Sequence, residues 1–326
     1  IKTLKASFIL GEYMNIGFIG LGNVGASLVT NLIHDDFQLC VHDLNFDAAL
    51  PLIEKGASWA KSPQELSEKS DLVITCLPSP KVVSDVMEGK NGVFSGLKNK
   101  AIWIEMSTND QSEILRLERI ANDKGSGVLE APVSGGCHRA ATGNISIFVG
   151  GERSYFDRAF PALQMMGSEI LHVGKLGTAS ALKVATNFLA STHLAALGEA
   201  LMVCKLYGID LKKAYKGILA SSGNSFVHET EGQLILNGSY NINFTMDLVC
   251  KDVGLFETLG KQLGIPLSIS PKITEIFTKA KTQYGDRAWS SMVVKLLEDV
   301  CSADLRAEGF PSELIDQSQK ILGKEI

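Results

Sequence analysis

Two groups of residues in this chain have the types and spacing to do chemistry. The first is Gly20-Leu21-Gly22-Asn23-Val24-Gly25, set between an apolar run and the helical segment Ala26–His34. Glycines at this spacing let a strand turn tightly into a helix, let the backbone approach a pyrophosphate, and let helix and strand pack closely. The free N–H groups and positive end of the following helix then face the anion. Asp43 ends the next apolar run, 18 residues past Gly25. An acidic side chain there would hold the ribose 2′-hydroxyl of NAD. A tight turn without a ligand would leave the placement of Asp43 unexplained.

The second group is Lys183 with Asn187. Four residues apart in a helical segment, they share one face. Their neighbours Leu182, Val184 and Ala185 are apolar. Burial among such side chains would lower the proton affinity of the amine toward the range useful for acid–base work. A helical lysine is otherwise a solvated surface charge, and position alone leaves both readings open.

Three loops follow apolar strands. Leu77-Pro78-Ser79-Pro80 and Ser107-Thr108 have the composition of ordinary turns, yet would lie at the carboxyl edge of a sheet. In Glu130-Ala131-Pro132-Val133-Ser134-Gly135-Gly136, the Ser134–Gly136 turn offers a hydroxyl and bare backbone N–H groups, a receptor for a carboxylate. The plain alternative is a glycine-rich chain reversal.

These residues need a frame to hold them. Strand-like runs at 15–20, 38–42, 72–77, 101–106, 128–131, 145–149 and 170–173 alternate with helical patterns at 63–70, 80–87, 111–124 and 155–165. That alternation predicts a doubly wound parallel sheet of Rossmann type. From Thr178 to Leu206 no proline or turn cluster interrupts an apolar pattern of helical spacing, with Gly198 its weak point. Further helices are predicted at 211–220, 249–263, 272–284 and 290–300. The expectation is an α/β fold in two domains. A dinucleotide-binding domain spans 14–175 and an all-helical substrate or oligomerisation domain spans 176–326, joined by the long helix. Residues 1–13 read as a non-native or disordered extension, with Met14 as the natural start.

At 326 residues the chain has room for two cores of ordinary size. Its 31 basic and 36 acidic side chains give a net charge of −5 with no long basic run, a poor match to nucleic acid or an anionic membrane. No apolar stretch is expected to reach the length of a membrane span. Six scattered cysteines (Cys40, Cys76, Cys137, Cys204, Cys250, Cys301) contain no CxxC pair, which points to a reducing cytoplasm and no metal site.

Taken together, GFIGLGNVG, CLPSP, EMST, APVSGG, GTASALKVATN and Cys250-Lys251-Asp252-Val253-Gly254 resemble the β-hydroxyacid dehydrogenases over residues 14 to about 291. That family includes 3-hydroxyisobutyrate dehydrogenase and tartronate semialdehyde reductase. The resemblance implies hydride transfer between a nicotinamide and a small β-hydroxyacid, with Lys183 as general acid/base and Asn187 orienting the substrate. It implies that Ser134, Gly135 and Gly136 receive the carboxylate. Gly20, Leu21, Gly22, Asn23, Val24, Gly25, Asp43, Leu77, Pro78, Thr108 and Lys251 would serve the cofactor. Asp43 followed by Leu44-Asn45 points to NAD rather than NADP, since no arginine stands there for a 2′-phosphate. A homodimer or homotetramer is expected.

Several positions depart from the family pattern: Val24 for methionine, Arg139 and Ala179 for glycines, and Thr186 for the first of two asparagines. Arg139 could add a contact for a second anionic group, or be a surface arginine. The alternatives to a hydroxyacid dehydrogenase are a dinucleotide-binding module without catalysis and an imine reductase on the same scaffold. The presence of both Lys183 and Asn187 counts against the first, and the presence of Lys183 counts against the second.

Overall fold

The computed structural model describes residues 13–326. The expectation for residues 1–13 therefore lies outside the described residues except for Tyr13, which is exposed. Two compact units emerge. One comprises residues up to 133, 140–177 and 320–326; the other comprises 134–139 and 178–319. Two short segments thus group away from their sequence neighbours, because each packs on the body of the other unit's sequence range.

The first unit is built on one sheet of ten strands. In chain order these are β1 (Met14–Ile19), β2 (Phe37–His42), β3 (Ser58–Trp59), β4 (Leu72–Thr75) and β5 (Ile102–Glu105). They continue with β6 (Gly127–Glu130), β7 (Val133–Ser134), β8 (Ile145–Gly151), β9 (Gly167–Gly174) and β10 (Lys324–Glu325). The spatial order is β10-β9-β8-β6-β5-β4-β1-β2-β3, with β7 beside β8. Strand order reverses at β1, between β4 and β2, and the glycine loop leaves β1 there. Crevices at such reversal points are where α/β sheets take ligands.

Two-residue alternation along the strands explains why both sheet faces are covered. Ile16 and Phe18, Leu72 and Ile74, Ile102 and Ile104, and Leu129 belong to one apolar cluster. Their neighbours Ile19, Val73, Trp103 and Val128 belong to the cluster on the opposite face. A sheet buried on both faces needs helices on both, and the apolar strand runs supply the matching surface. The sheet is the expected, predominantly parallel one, with one antiparallel pairing: β8 runs antiparallel to β6, then β9 returns parallel to β8. Residues 131–144, which include β7 and the six-residue helix Cys137–Thr142, connect the two strands.

The second unit is helical. Its long helix Thr178–Leu206 matches the predicted range, and Gly198 proves to be a packing necessity. A Cβ at 198 would stand 2.7 Å from Val294 Cγ1. Leu194, Leu197 and Leu201 bury against Val249, Val253, Phe277, Val293 and Leu305. By length and composition alone this helix could cross a membrane, so the expectation that no stretch reaches that length is corrected. Here its buried stripe packs on the helices Met246–Gln262 and Ser270–Tyr284. The predicted segment 290–300 divides into a 3-10 turn, Ser290–Val294, and a helix, Lys295–Cys301.

Candidate active site

In the first unit the glycine loop has the geometry its sequence calls for. Gly20 adopts φ +99°, and a Cβ there would stand 2.3 Å from the carbonyl oxygen of Cys76. At Gly25 a Cβ would come within 2.0 Å of the Gly20 carbonyl oxygen, so the helix Asn23–Thr30 can approach the strand only without a side chain. Gly22 differs: a Cβ there would meet nothing within 4 Å. The protein's own packing does not require glycine at 22, whereas a pyrophosphate lying against the backbone would. No side chain caps this helix and no acidic residue occupies its first turn, which suits an anion. The loop therefore fits a dinucleotide.

Asp43 lies at the end of β2 and ties down the same loop. Its Oδ2 accepts the Leu21 N–H at 2.6 Å, and its Oδ1 accepts the Asn45 N–H at 2.8 Å. Asn23 is exposed and Val24 half-buried at the start of the helix, while Leu44 is fully exposed beside Asp43.

The two loops at the ends of β4 and β5 are bound to each other. The Leu77 N–H donates to Ser107 Oγ at 2.7 Å, and the Ser107 N–H donates to Glu105 Oε1 at 2.7 Å. Glu105, fully buried, also accepts from Thr75 Oγ1 at 2.6 Å, and Trp103 Nε1 donates to that hydroxyl at 2.8 Å. This network fixes the backbone that carries Leu77, Pro78 and Thr108. Glu105 stood within the EMST motif but had no role in the sequence reading; its burial is what singles it out. Ser79 is spent as the cap of the helix Pro80–Glu88, accepting the Val82 N–H at 3.3 Å. What reads as a turn is thus a helix start, with proline at its favoured first position.

In the second unit, Lys183 is buried, at 8 % exposure. Its Nζ donates to Asn187 Oδ1 at 2.7 Å, and Asn187 Nδ2 donates to Asp252 Oδ2 at 2.5 Å. Asp252 is itself buried, and its Oδ1 stands 3.1 Å from Lys251 Nζ. Burial lowers the proton affinity of Lys183 to about 8; the negative charge of Asp252 opposes this and the positive charge of Lys251 adds to it. The amine is therefore poised to gain or lose a proton near neutral pH. Asp252 stands within the motif Cys250-Lys251-Asp252-Val253-Gly254. Its position on a separate helix, 65 residues from Asn187, is a tertiary fact no local pattern carries.

Ser134, Gly135 and Gly136 group with this same unit. Gly135 and Gly136 take φ +131° and +86°, so consecutive N–H groups are presented from a left-handed turn that side chains disfavour. Lys251, expected near both cofactor and substrate, is placed beside Asp252 in the second unit. Among the described residues, no group of three or more His, Cys, Asp or Glu is placed to hold a metal.

Comparison with known proteins covers nearly the whole described chain. Residues 15–174 match the family model of the NAD-binding domain of 6-phosphogluconate dehydrogenase. Residues 177–297 match that described as the NAD-binding domain of NADP-dependent 3-hydroxyisobutyrate dehydrogenase. The 2-(hydroxymethyl)glutarate dehydrogenase of Eubacterium barkeri is 32 % identical over 288 residues, covering 88 % of this chain and 96 % of that protein. The 3-sulfolactaldehyde reductase of Escherichia coli (strain K12) is 30 % identical over 281 residues, covering 85 % and 94 %. Among solved structures, 3-hydroxyisobutyrate dehydrogenase from Salmonella typhimurium superposes with a TM-score of 0.81 at 26 % identity, covering 87 % of this chain and 99 % of that one. With a dinucleotide loop in one unit, a buried amine in the other, and relatives matched along almost their full length, the chain belongs to the β-hydroxyacid dehydrogenases, NAD(P)-dependent oxidoreductases of small hydroxy acids.

Proposed function

We propose that the chain is an NAD-preferring 3-hydroxyacid dehydrogenase in which Lys183 is the general acid/base. The observation that carries this reading is the buried amine of Lys183, held at a proton affinity of about 8 and hydrogen-bonded to Asn187. Gly20, Leu21, Gly22, Asn23, Val24 and Gly25 would hold the pyrophosphate, with Asp43 at the ribose. Leu77, Pro78 and Thr108 would border the nicotinamide, and Lys251 would also serve the cofactor. When bound, the nicotinamide accepts a hydride from the carbon bearing the hydroxyl, or returns it. The protein supplies the proton path and the orientation.

In the oxidative direction neutral Lys183 takes the hydroxyl proton; in the reductive direction its ammonium gives one to the carbonyl oxygen. Asn187 holds the reacting oxygen through its remaining amide hydrogen, since Asp252 and Lys183 fix the amide's orientation. The Ser134–Gly136 turn anchors the carboxylate, so the substrate is held at both ends and one carbon is presented for transfer. Asp43 disfavours a 2′-phosphate by charge, and Leu44-Asn45 brings no arginine to receive one. Relatives named for 2-(hydroxymethyl)glutarate and 3-sulfolactaldehyde support a small polar acid as substrate.

Six free cysteines favour a reducing compartment, and we place the protein in the cytoplasm. Exposed Leu189, Val203 and Leu206 on the long helix, with Tyr207 just after it, favour a homodimer or homotetramer, which sedimentation would measure. The test of function is the absorbance of reduced nicotinamide with NAD and a panel of 3-hydroxyacids. Turnover that depends on Lys183 supports the reading. A Lys183→Ala variant with near-normal turnover would end it.

A further inference from the structure

Asn31 ties three segments of the first unit together with one side chain. It directly follows the helix Asn23–Thr30, whose opposite end adjoins the glycine loop. Its backbone N–H turns to the Leu28 carbonyl at 3.1 Å, and its Nδ2 donates to the Ser27 carbonyl at 2.9 Å. The second hydrogen of Nδ2 goes to the Ala140 carbonyl, also at 2.9 Å, across 109 residues of sequence. Oδ1 accepts from Lys320 Nζ at 3.1 Å. Both amide hydrogens and the oxygen are thereby engaged, so the side chain has a single orientation.

Ala140 lies on the helix Cys137–Thr142, which starts directly after the Ser134–Gly136 turn. It is fully buried, in the same apolar cluster as Leu28, Val29 and Leu32. Gly143 ends that segment against the amide at φ +72°. A Cβ there would stand 3.0 Å from Asn31 Oδ1 and 3.1 Å from the Met165 carbonyl oxygen. Packing and a hydrogen bond thus fix the end of one helix to the other. Capping alone does not call for this. Ser27 Oγ and Thr30 Oγ1 already bond the carbonyls of Asn23 and Ala26, one turn back, at 2.9 and 2.8 Å. A hydroxyl at 31 would serve the Ser27 carbonyl in the same way. The longer amide adds the span to Ala140. The Lys320 contact is exposed and orients the amide more than it holds it.

We propose that Asn31 is a positioning residue that joins the pyrophosphate helix to the helix following the carboxylate turn, so that cofactor and hydroxyacid each bind more tightly when the other is present. This rests on the reading of the glycine loop and the Ser134–Gly136 turn given above. The first helix has eight residues and is only about 12 Å long, so a displacement at Asn31 is carried to the loop at its other end. A ligand that immobilises either element lowers the entropic cost of immobilising the other, and linkage makes the gain reciprocal.

The experiment measures the Kd of NADH by its fluorescence, with and without saturating 3-hydroxyisobutyrate, on the full chain. Reduced cofactor and alcohol cannot react, so the pair reports binding alone. If 3-hydroxyisobutyrate is not oxidised in the NAD assay, the panel acid that is turned over replaces it. In the native protein the acid is expected to tighten NADH binding about fivefold or more. Asn31→Ala is expected to bring that ratio to within about twofold of unity. Asn31→Ser, which keeps a bond to Ser27, is expected to restore the melting temperature but not the ratio. Lys320→Met is expected to keep the ratio. A native ratio near unity, a ratio that survives in Asn31→Ser, or one that is lost in Lys320→Met overturns the proposal and leaves the dehydrogenase reading intact. If the native protein oxidises no 3-hydroxyacid, both fall together.

Discussion

The buried state of Lys183 makes a sharp prediction for the dependence of rate on pH. An ordinary lysine, near 10.5, is neutral in only about one molecule in 3,000 at pH 7. At about 8, the affinity that burial imposes on Lys183, roughly one molecule in ten is neutral. Burial thus supplies about 300 times more base at neutral pH without removing the acid. The expected outcome is that kcat/KM for oxidation rises tenfold per pH unit below about 8 and levels off above it. Reduction should show the mirror image, falling above the same pH because it needs the ammonium. The assay is the absorbance of reduced nicotinamide across pH 6 to 10 in both directions, at saturating cofactor. Lys183→Ala should lose on the order of a hundredfold or more in kcat and lose the limb near 8 with it. A limb that stays in place in the variant, or that lies near 10.5 in the native protein, would refute the assignment.

Four further outcomes are expected. Lys183 sits below its unfolded affinity, so the folded state binds fewer protons and stability rises with pH between about 8 and 10.5. Lys183→Met should then stabilise the inactive protein at pH 7, by at most about 3 kcal/mol for a difference of about 2.5 pKa units, as read from denaturant unfolding. Asp252→Asn removes the charge that holds the Lys183 affinity up, so the oxidation limb should move to lower pH, with kcat falling on the order of tenfold as Asn187 loses its anchor. The two glycines separate packing from binding. Gly25→Ala should destabilise the protein by about 1–3 kcal/mol because its Cβ would meet the Gly20 carbonyl oxygen at 2.0 Å. Gly22→Ala should leave the melting temperature nearly unchanged while weakening NAD binding by tenfold or more, measured by calorimetry. Glu298 accepts from Tyr240, the Leu305 N–H and Arg306, so Glu298→Ala should cost about 3–5 kcal/mol, seen as a large fall in melting temperature.

Local pattern determined a good deal of this protein. The glycine loop, the Asp43 position, the seven main strands and the full length of the helix Thr178–Leu206 were legible because each depends on near neighbours and on a period of 2 or 3.6 residues. The pairing of Lys183 with Asn187 was also legible, since four residues span one helical turn. Other features required the folded chain. The reversed β8, the short β10 at the far edge of the sheet, and the grouping of Ser134–Arg139 with the helical unit depend on how distant segments pack. Asp252 reaches Asn187 from another helix, and Glu105 ties together two loops from neighbouring strands. Above all, an amino-acid sequence names a lysine but not its dielectric surroundings. Burial strips water from Lys183, and that desolvation, decided only by tertiary structure, lowers the proton affinity of the amine to about 8.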